Sequence, residues 1–381
     1  MEILFTILNV IKYLIYVLLV ITILIFIFLN SSSAFGASPD KNSKRIIENS
    51  ENFIEGKFRN IKSTYTNFRT SEKKATLKDW FFQDKDKNPL KPLPTIKFAG
   101  KDLTEGTFVW LGHSTLLMKT EGLVVMTDPL FNRASPLPAF SSKGKSNFFN
   151  GKPFAFENPI VIDDLPKVDI VIISHDHYDH LDSKAIKDLS DRVDQFFVPL
   201  GVGAHLERWG VNSKNIKEFD WYDSKDYKNV KFTLAPAQHF SGRGPTNGNS
   251  TLWGSWIVSS EKMKAYFSGD GGYSKTFKEL GDQYGPFDIA FIENGAYNVD
   301  WSNIHMFPDE AVQASIDLKA KVLFPIHWSK FDLSNHPWDE PIIRITKEAD
   351  KKNVTIATPM IGEVFDLSRL PKNPWWEKLR N

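Results

Sequence analysis

The stretch His175-Asp176-His177-Tyr178-Asp179-His180 decides the fold class of this chain, because it places three imidazoles and two carboxylates within six residues. It directly follows the apolar run at residues 170–173, which is typical of a buried strand. Neutral ring nitrogens and anionic oxygens together suit zinc and similar divalent ions. Only nine histidines occur in the whole chain, so chance clustering in a solvated loop is a poor explanation. The pattern predicts a metal-binding loop at a strand end.

Further candidate ligands follow three other apolar runs, at residues 230–235, 264–267 and 322–325. A sheet fixes the backbone direction at the end of each strand, so side chains just beyond these ends can converge. The full set of candidate metal ligands is His175, His177, Asp179, His180, His239, Asp270 and His327. Seven ligands fit two metal ions that have three terminal ligands each and share one carboxylate.

Short apolar runs alternate with helical stretches from Thr107 onward, which is typical of an α/β or α+β domain. Asp182 or Ser183 is expected to cap a helix that runs through Leu189, and another helix is expected to begin near Pro308. Besides the four runs above, we predict strands over residues 107–111, 115–118, 123–126, 196–199, 254–258 and 287–292.

The N-terminal segment differs from the rest of the chain. Residues 13–29 are apolar except for Thr22, and a run of this length and purity can span a bilayer. A cleaved signal peptide is the alternative, since Ser32-Ser33-Ala34 is an acceptable processing site, but the run is long for a signal peptide and we favour a retained anchor. More basic residues follow the run than precede it, which favours the cytoplasmic side for the folded part, whereas a signal-anchor export route would reverse that orientation.

We predict three segments: a transmembrane anchor or signal segment over residues 1–34, a connector and N-terminal extension over residues 35–100, and a catalytic domain over residues 101–381. The connector is polar, weakly periodic and interrupted by prolines. A chain of 381 residues with 41% hydrophobic content is large enough for a globular enzyme. Its net charge of +1 gives no broad basic surface, so nucleic acid is not an expected partner. The absence of cysteine removes disulfides, thiolate metal sites and thiol catalysis.

These motifs resemble the metallo-β-lactamase superfamily, and within it the N-acyl-phosphatidylethanolamine-hydrolysing phospholipase D group and its bacterial relatives. Besides the histidine-rich loop, the resemblance over about Gly106 to Gly362 is carried by Trp110-Leu111-Gly112-His113-Ser114, Thr127-Asp128-Pro129, Pro236-Ala237-Gln238-His239, Leu252-Trp253-Gly254-Ser255-Trp256, Ser268-Gly269-Asp270-Gly271-Gly272-Tyr273, Gly285-Pro286-Phe287-Asp288 and Ile326-His327-Trp328. The Trp-Gly-Ser-Trp and Gly-Pro-Phe-Asp segments narrow the match to that group. The resemblance implies an α/β (α+β) fold, a four-layer αββα metallo-β-lactamase-type sandwich, here with an N-terminal membrane-spanning helix.

The resemblance also implies a ligand assignment. One metal would be bound by His175, His177 and His239, the other by Asp179, His180 and His327, and Asp270 would bridge them. Two divalent ions ~3.5–4 Å apart lower the pKa of a shared water and create a metal-bridging hydroxide, which attacks an ester carbon or a phosphorus. The candidate catalytic residues are Asp179, Asp270 and His305.

Several other polar residues have expected roles beside the ligands. Asp179 can orient the nucleophile or take its proton, and the resemblance suggests that His305 contacts the substrate, with a capping or core role as the alternative. Residues expected to hold ligand imidazoles in one tautomer, or to act as structural groups, are Asp128, Asp182 and His113. Gln238 and Arg243 are expected either to contact a phosphate or headgroup or to lie at the surface. His205 and His336 are expected to be structural.

Two zinc ions are the expected cofactors. The redox-active di-iron branch of the superfamily carries glutamate at the second ligand position of the loop, where this chain has His177, so hydrolysis is favoured over electron transfer. Manganese and iron stay open, because availability also decides which metal enters.

The predicted function is a membrane-associated phosphodiesterase of phospholipase D type in lipid metabolism, acting on N-acyl-phosphatidylethanolamine-like phospholipids. A lactonase or carboxylic-ester hydrolase is the alternative, and a nuclease or a non-catalytic membrane-tethered protein ranks lower. The expected partners are a phospholipid or other ester substrate and, through the N-terminal helix, a membrane. The sequence determines neither the headgroup, the acyl chains nor the oligomeric state.

Overall fold

The computed structural model describes residues 2–62, 87–136 and 151–379, so residues 63–86 of the predicted connector lie outside the described residues. The chain begins with helix α1 (Glu2–Ser31), which is apolar over Ile3–Leu29 and exposed along nearly all of that length. This helix is long and apolar enough to cross a membrane, a test that an N-terminal signal sequence also passes. The elements that follow are helix α2 (Lys41–Glu48) and the hairpin strands β1 (Phe53–Ile54) and β2 (Lys57–Phe58).

Seven strands form a first, mixed sheet. They are β3 (Thr107–Trp110), β4 (Leu116–Thr120), β5 (Leu123–Thr127), β6 (Val168–Ile172), β7 (Val193–Pro199), β8 (Ile216–Phe219) and β15 (Val364–Asp366). Their spatial order is β15-β3-β4-β5-β6-β7-β8, with antiparallel pairing from β15 to β5 and parallel pairing from β5 to β8. Helices α3 (Ser183–Leu189) and α4 (Gly203–Arg208) pack on its outer face. Asp182 is the N-cap of α3, which confirms the predicted capped helix.

Six strands form a second, mixed sheet. They are β9 (Ser224–Tyr227), β10 (Val230–Ala235), β11 (Ser255–Ser259), β12 (Lys264–Phe267), β13 (Ile289–Glu293) and β14 (Leu323–Ile326), in the spatial order β14-β13-β12-β11-β10-β9. Pairing is antiparallel from β9 to β12 and parallel from β12 to β14. Helices α5 (Thr276–Gln283), α6 (Pro308–Asp317) and α7 (Glu340–Lys351) pack against this sheet, and α6 begins at the predicted Pro308.

Alternation along β6 shows why the two sheets face each other. Ile170 and Ile172 point into the core between the sheets, whereas Val171 and Ile173 point to the core beneath α3 and α4. The indole Nε1 of Trp256, from β11 of the second sheet, donates to the carbonyl oxygen of Ile173, 2.7 Å away. This contact ties the sheets together directly before the histidine-rich loop. The arrangement is a four-layer αββα sandwich, so the predicted fold class is confirmed.

Part of the N-terminal extension contributes to the same core. Phe58 of β2 and Leu93 are fully buried in the cluster that fills the space between the sheets. The amide of Phe58 donates to the carbonyl oxygen of Asn249, 2.9 Å away. The described parts of residues 35–100 therefore pack onto the sandwich, while the predicted division into three segments stays a prediction.

Candidate metal centre

The loops after β6, β10, β12 and β14 meet at one edge of the sandwich. The structure brings together all seven side chains that the sequence singled out as candidate ligands: His175, His177, Asp179, His180, His239, Asp270 and His327. The histidine-rich loop turns sharply, since the amides of His180 and Leu181 both donate to the carbonyl oxygen of His177. This turn directs several imidazoles of one short loop toward a common space.

Three histidines form a first group. The Nε2 atom of His175 lies 2.8 Å from Nδ1 of His177, and that Nδ1 lies 3.2 Å from Nε2 of His239. Around a tetrahedral zinc with Zn–N bonds of 2.0–2.1 Å, two ligand nitrogens are about 3.3 Å apart. The three nitrogens therefore have the spacing of ligands that share one ion.

A carboxylate and two histidines form a second group. The Oδ2 atom of Asp179 lies 3.2 Å from Nε2 of His327 and 3.6 Å from Nε2 of His180. Asp270 lies between the two groups: its carboxylate is 3.1 Å from His180 and 3.1 Å from His327, and 3.9 Å from Nε2 of His239. One carboxylate thus reaches imidazoles of both groups, as a bridging ligand would.

The charges of the two groups differ. Burial, with the neighbouring histidines, lowers the pKa of His175 and His239 well below the usual value, so these imidazoles are neutral and have a lone pair for a metal. In the second group burial alone would lower the pKa of His180 and His327, but Asp270 and Asp179 raise it, to about 10 for His327. The two buried carboxylates thus require positive charge beside them, and a divalent cation bound to these imidazoles would supply it in place of protons.

The donor atoms themselves fit a bound cation. Among the described residues, Nε2 of His180 and Oδ1 of Asp270 are buried and have no hydrogen-bond partner, although they lie only 3.1 Å apart. Both atoms therefore point toward a shared space rather than along a hydrogen bond between them. A buried charged oxygen without a partner is unfavourable, so a divalent cation in this space would satisfy atoms that the protein leaves unsatisfied.

A family model described as the beta-lactamase superfamily domain matches residues 125–328, which is more than half of the chain and includes all four ligand-bearing strand ends. The chain belongs to the metallo-β-lactamase superfamily. An uncharacterised protein of Mycobacterium tuberculosis is 37% identical to this metallo-β-lactamase-type chain over 344 residues, covering 87% of it and 89% of the relative. The N-acyl-phosphatidylethanolamine-hydrolysing phospholipase D 1 of Caenorhabditis elegans is 34% identical over 277 residues, covering 68% of this chain and 75% of the relative.

Solved structures agree on the metallo-β-lactamase fold. A possible metal-dependent hydrolase from Veillonella parvula superposes with a TM-score of 0.53 at 16% identity, covering 69% of this chain and 99% of the other. CmlA, a diiron β-hydroxylase from Streptomyces venezuelae, gives a TM-score of 0.51 at 17% identity, covering 69% of this chain and 54% of the other. The shared fold includes a diiron enzyme, so membership in the superfamily supports a metal-dependent hydrolase without choosing the ion.

The residues expected to hold ligand imidazoles, or to act as structural groups, make different contacts. Asp128 holds a ligand imidazole, because its Oδ2 lies 2.7 Å from Nδ1 of His180, while Ser174 donates to both carboxylate oxygens of Asp128. His113 instead contacts a carboxylate: its Nε2 lies 3.2 Å from Oδ2 of Asp179. Asp182 contacts no ligand imidazole and has the structural role that was the other expectation: its side chain caps α3 and accepts from the main chain of Asn132.

His305 faces the metal centre. Its Nδ1 lies 3.3 Å from Oε2 of Glu293 and 4.0 Å from Oδ2 of Asp270. Glu293 is completely buried, and its other oxygen accepts from the amide of Met306, 2.6 Å away. His305 is thus oriented by a buried carboxylate at the end of β13, and its ring is partly exposed beside the candidate ligands.

Arg243 does not lie at the surface, and its guanidinium contacts the main chain of the protein. It is buried, and its Nη1 donates to the carbonyl oxygens of Asp176 and Leu181, at 2.6 and 2.8 Å. The guanidinium therefore fixes both ends of the histidine-rich loop. Gln238 is also engaged within the protein, because its Nε2 donates to the carbonyl oxygen of Asn303, 2.9 Å away.

The two remaining histidines have structural surroundings. His205 is buried, with Nε2 3.3 Å from Oδ2 of Asp176 and Nδ1 accepting from the amide of Ala37 at 2.9 Å. His336 stacks on Tyr297, with ring centroids 4.4 Å apart. Both positions agree with the structural role expected from the sequence.

No sequence pattern indicated a role for Asn60, which lies two residues after β2. Its side-chain Nδ2 donates to the carbonyl oxygen of His239 at 2.9 Å, and its Oδ1 accepts from the amide of the same residue at 3.1 Å. Asp176 was counted in the histidine-rich loop without a predicted role; it accepts from Gly242 and Thr251 and so connects this loop to the loop after β10. These partners are distant in sequence, and only the folded chain reveals them.

Proposed function

We propose that this metallo-β-lactamase-type hydrolase is a membrane-associated, zinc-dependent phosphodiesterase with two metal ions, which cleaves N-acyl-phosphatidylethanolamine-like phospholipids in the manner of a phospholipase D. The observation that carries the two-metal proposal is the position of the Asp270 carboxylate between two groups of imidazoles. Support for the substrate comes from the similarity to the Caenorhabditis elegans phospholipase D.

In this proposal each group of side chains holds one ion. His175, His177 and His239 would hold the first, Asp179, His180 and His327 would hold the second, and Asp270 would serve both. Nitrogen and oxygen ligands of this kind suit zinc. When bound, two such ions supply a water that is nucleophilic near neutral pH and electrophilic contacts for the phosphoryl oxygens.

The side chains around this space have separate roles in the proposed reaction. Hydrolysis of the diester joins a water oxygen to phosphorus, breaks the bond from phosphorus to the alcohol oxygen, and moves one proton from the water to the leaving alcohol. Burial alone would raise the pKa of Asp179, but His180 and hydrogen bonds from His113 and His327 hold it well below its usual value, so an ionised Asp179 orients the water. Because Glu293 engages Nδ1 of His305, we assign Nε2 of His305 to contact the substrate and the leaving oxygen.

The membrane location rests on α1. We propose that α1 is a retained single-pass anchor, and the excess of basic residues after it favours the cytoplasmic side for the sandwich. An anchor of this kind would keep the hydrolase beside a phospholipid substrate.

The test is a metal-dependent activity screen on the full chain in mixed micelles. We expect release of phosphatidic acid and N-acylethanolamine from N-acyl-phosphatidylethanolamine, two zinc ions per chain by elemental analysis, and loss of both on chelation. His175→Ala should abolish turnover, and His336→Phe, which lies outside the candidate ligands, should retain it. Turnover of lactones or carboxylic esters without any lipid product would refute the substrate, and full metal loading without turnover of any ester would refute the enzyme assignment.

A further inference from the structure

A cavity of about 830 Å³ lies where α1 meets the folded sandwich. One wall is formed by the end of α1 and the turn that follows it, and the opposite wall by α2, the β1 strand and the loop at residues 244–251. The apolar side chains in these walls are Phe26, Leu29, Phe35, Ile47 and Phe53. Its volume falls within the range of roughly 300–1,000 Å³ that is usual for ligand sites.

Charged groups occupy only part of the wall. Lys44 of α2 and Arg208 of α4 both line the cavity and are exposed, and Glu48 is the single acidic side chain among the described residues that line it. The cavity therefore combines an apolar surface with a net positive one. This combination fits an amphiphile that has an anionic head and an apolar tail.

The position of the cavity indicates which amphiphile. Phe26 and Leu29 belong to the final turns of a helix that is apolar enough to cross a membrane, so the cavity lies where such a helix leaves the bilayer. We propose that it binds one glycerophospholipid of net negative charge, with an acyl chain against Phe26 and Leu29 and the phosphate between Lys44 and Arg208. The inference rests on the proposed membrane location of α1 and is independent of which ester the metal centre cleaves.

The cavity wall is connected to the metal-binding loop. The ring of Phe35 packs edge-on against Tyr178 of that loop, with centroids 6.4 Å apart, and the hydroxyl of Tyr178 donates to the carbonyl oxygen of Arg243. The carbonyl oxygen of Ala34 accepts from Nε of Arg243, 2.9 Å away. A lipid in the cavity would therefore press on the turn that holds Arg243 against the histidine-rich loop.

The test uses the full chain in nanodiscs of phosphatidylcholine with a minor fraction of phosphatidylglycerol. Native mass spectrometry counts the phospholipid that stays bound after release into detergent. We expect one phosphatidylglycerol per chain, and Lys44→Glu with Arg208→Glu should lower its retention by at least about thirtyfold, because loss of each juxtamembrane cation removes roughly a factor of five from the binding of anionic lipid and the new carboxylates repel it. Ser38→Trp places an indole in the cavity without a change of charge and should also displace the lipid.

The control is Lys41→Glu with Arg45→Glu, which makes the same change of charge on α2 at positions that do not line the cavity, and it should keep the wild-type retention. Equal loss in both double variants, equal retention of phosphatidylcholine and phosphatidylglycerol, or failure of α1 to insert into the disc would each overturn the inference. Phosphatidylglycerol retention does not depend on turnover, so an inactive protein that retains it would overturn the proposed function alone.

Discussion

Asn60→Ala tests whether a residue outside the metal-binding loops positions a candidate ligand. The Asn60 carboxamide bonds both main-chain groups of His239, at 2.9 and 3.1 Å, and His239 is only 1% exposed. Truncation to alanine removes both bonds at once. Solvent has poor access to replace them, so the amide and the carbonyl of His239 would be left without partners.

The magnitude follows from those two bonds. A hydrogen bond contributes about 1 kcal/mol net, and a buried group left unpaired costs about 1–3 kcal/mol, so the loss is about 2–4 kcal/mol. The imidazole of His239 keeps its own contact, because Nδ1 remains 3.1 Å from the carbonyl oxygen of Ile304. Loss of support behind a ligand typically weakens metal affinity about 10- to 100-fold, and we expect Asn60→Ala to fall in that range.

Competition with a chromophoric chelator measures the metal affinity, and the electronic spectrum of the cobalt-substituted protein reports the geometry at His239. Asn52→Ala is the matched control. It lies beside the same hairpin and removes a bond of similar length, from its Nδ2 to Oδ1 of Asp220 at 2.8 Å, but it touches no candidate ligand. Both variants should unfold at lower denaturant concentration, and Asn60→Ala alone should change the affinity and the spectrum.

One outcome would contradict a positioning role for Asn60. If Asn60→Ala binds cobalt and zinc as the wild type does, and loses only as much stability as Asn52→Ala, the carboxamide secures the hairpin and does not position His239. Asn60→Asp adds a second criterion, because it keeps the acceptor for the His239 amide and loses the donor to its carbonyl. Its affinity should lie between those of the wild type and Asn60→Ala.

Three further changes have defined outcomes. Asp128→Asn removes the carboxylate 2.7 Å from Nδ1 of His180 and should weaken metal binding about tenfold or more by chelator competition; unchanged affinity would contradict the role of Asp128. Gly295→Ala places a Cβ 2.0 Å from the carbonyl oxygen of His327, so it should lower both the melting temperature and the metal affinity. A melting curve equal to that of the wild type would show that the backbone can move to accommodate the methyl group without loss of stability. Burial lowers the pKa of His336 from 6.5 to about 4, so the unfolded chain binds one more proton between these values and stability falls as the pH drops through that window. The free energy of unfolding, measured by urea titration, should therefore fall between pH 7.5 and pH 4.5, and His336→Phe should reduce this fall by up to about 3 kcal/mol. An equal fall in the variant and the wild type would disprove the assignment.

Much of the sandwich was predictable because its central strands can be recognised from their own apolar composition. Residues 170–173 are a continuous apolar run, since both faces of β6 are buried there, and a polar loop follows it. Strand β9 (Ser224–Tyr227) gave no signal, because it is a polar edge strand that is mostly exposed. Strand β15 (Val364–Asp366) was also missed: it is three residues long and forms only by pairing with β3, far away in the sequence. Short edge strands depend on their partners and not on their own composition.

The same distinction applies to the candidate site. Candidate ligands were visible because histidines and aspartates directly follow predicted strands, and strand ends at one edge of a sheet converge. The supporting residues were hidden. The side chain of Asn60 bonds the main chain of His239, and the side chain of Arg243 bonds carbonyl oxygens of the histidine-rich loop. Every residue has these main-chain groups, so such contacts leave no pattern in the sequence. Arg243 suggested an anion contact, because the sequence does not distinguish an arginine that binds a substrate from one that bonds the backbone.

The supporting contacts link the start of the chain to the metal centre. The turn after α1 bonds Arg243 and His205, and Asn60, two residues after β2, bonds His239, so segments with no metal-ligand signal set the positions of two ligand-bearing loops. Phe35 and Tyr178 continue this link from α1 into the histidine-rich loop. A displacement of α1 relative to the sandwich would therefore be transmitted through Arg243 to the main chain at both ends of that loop. If α1 is held in a bilayer as proposed, we expect the geometry of the candidate metal centre to depend on how the sandwich sits on the membrane surface.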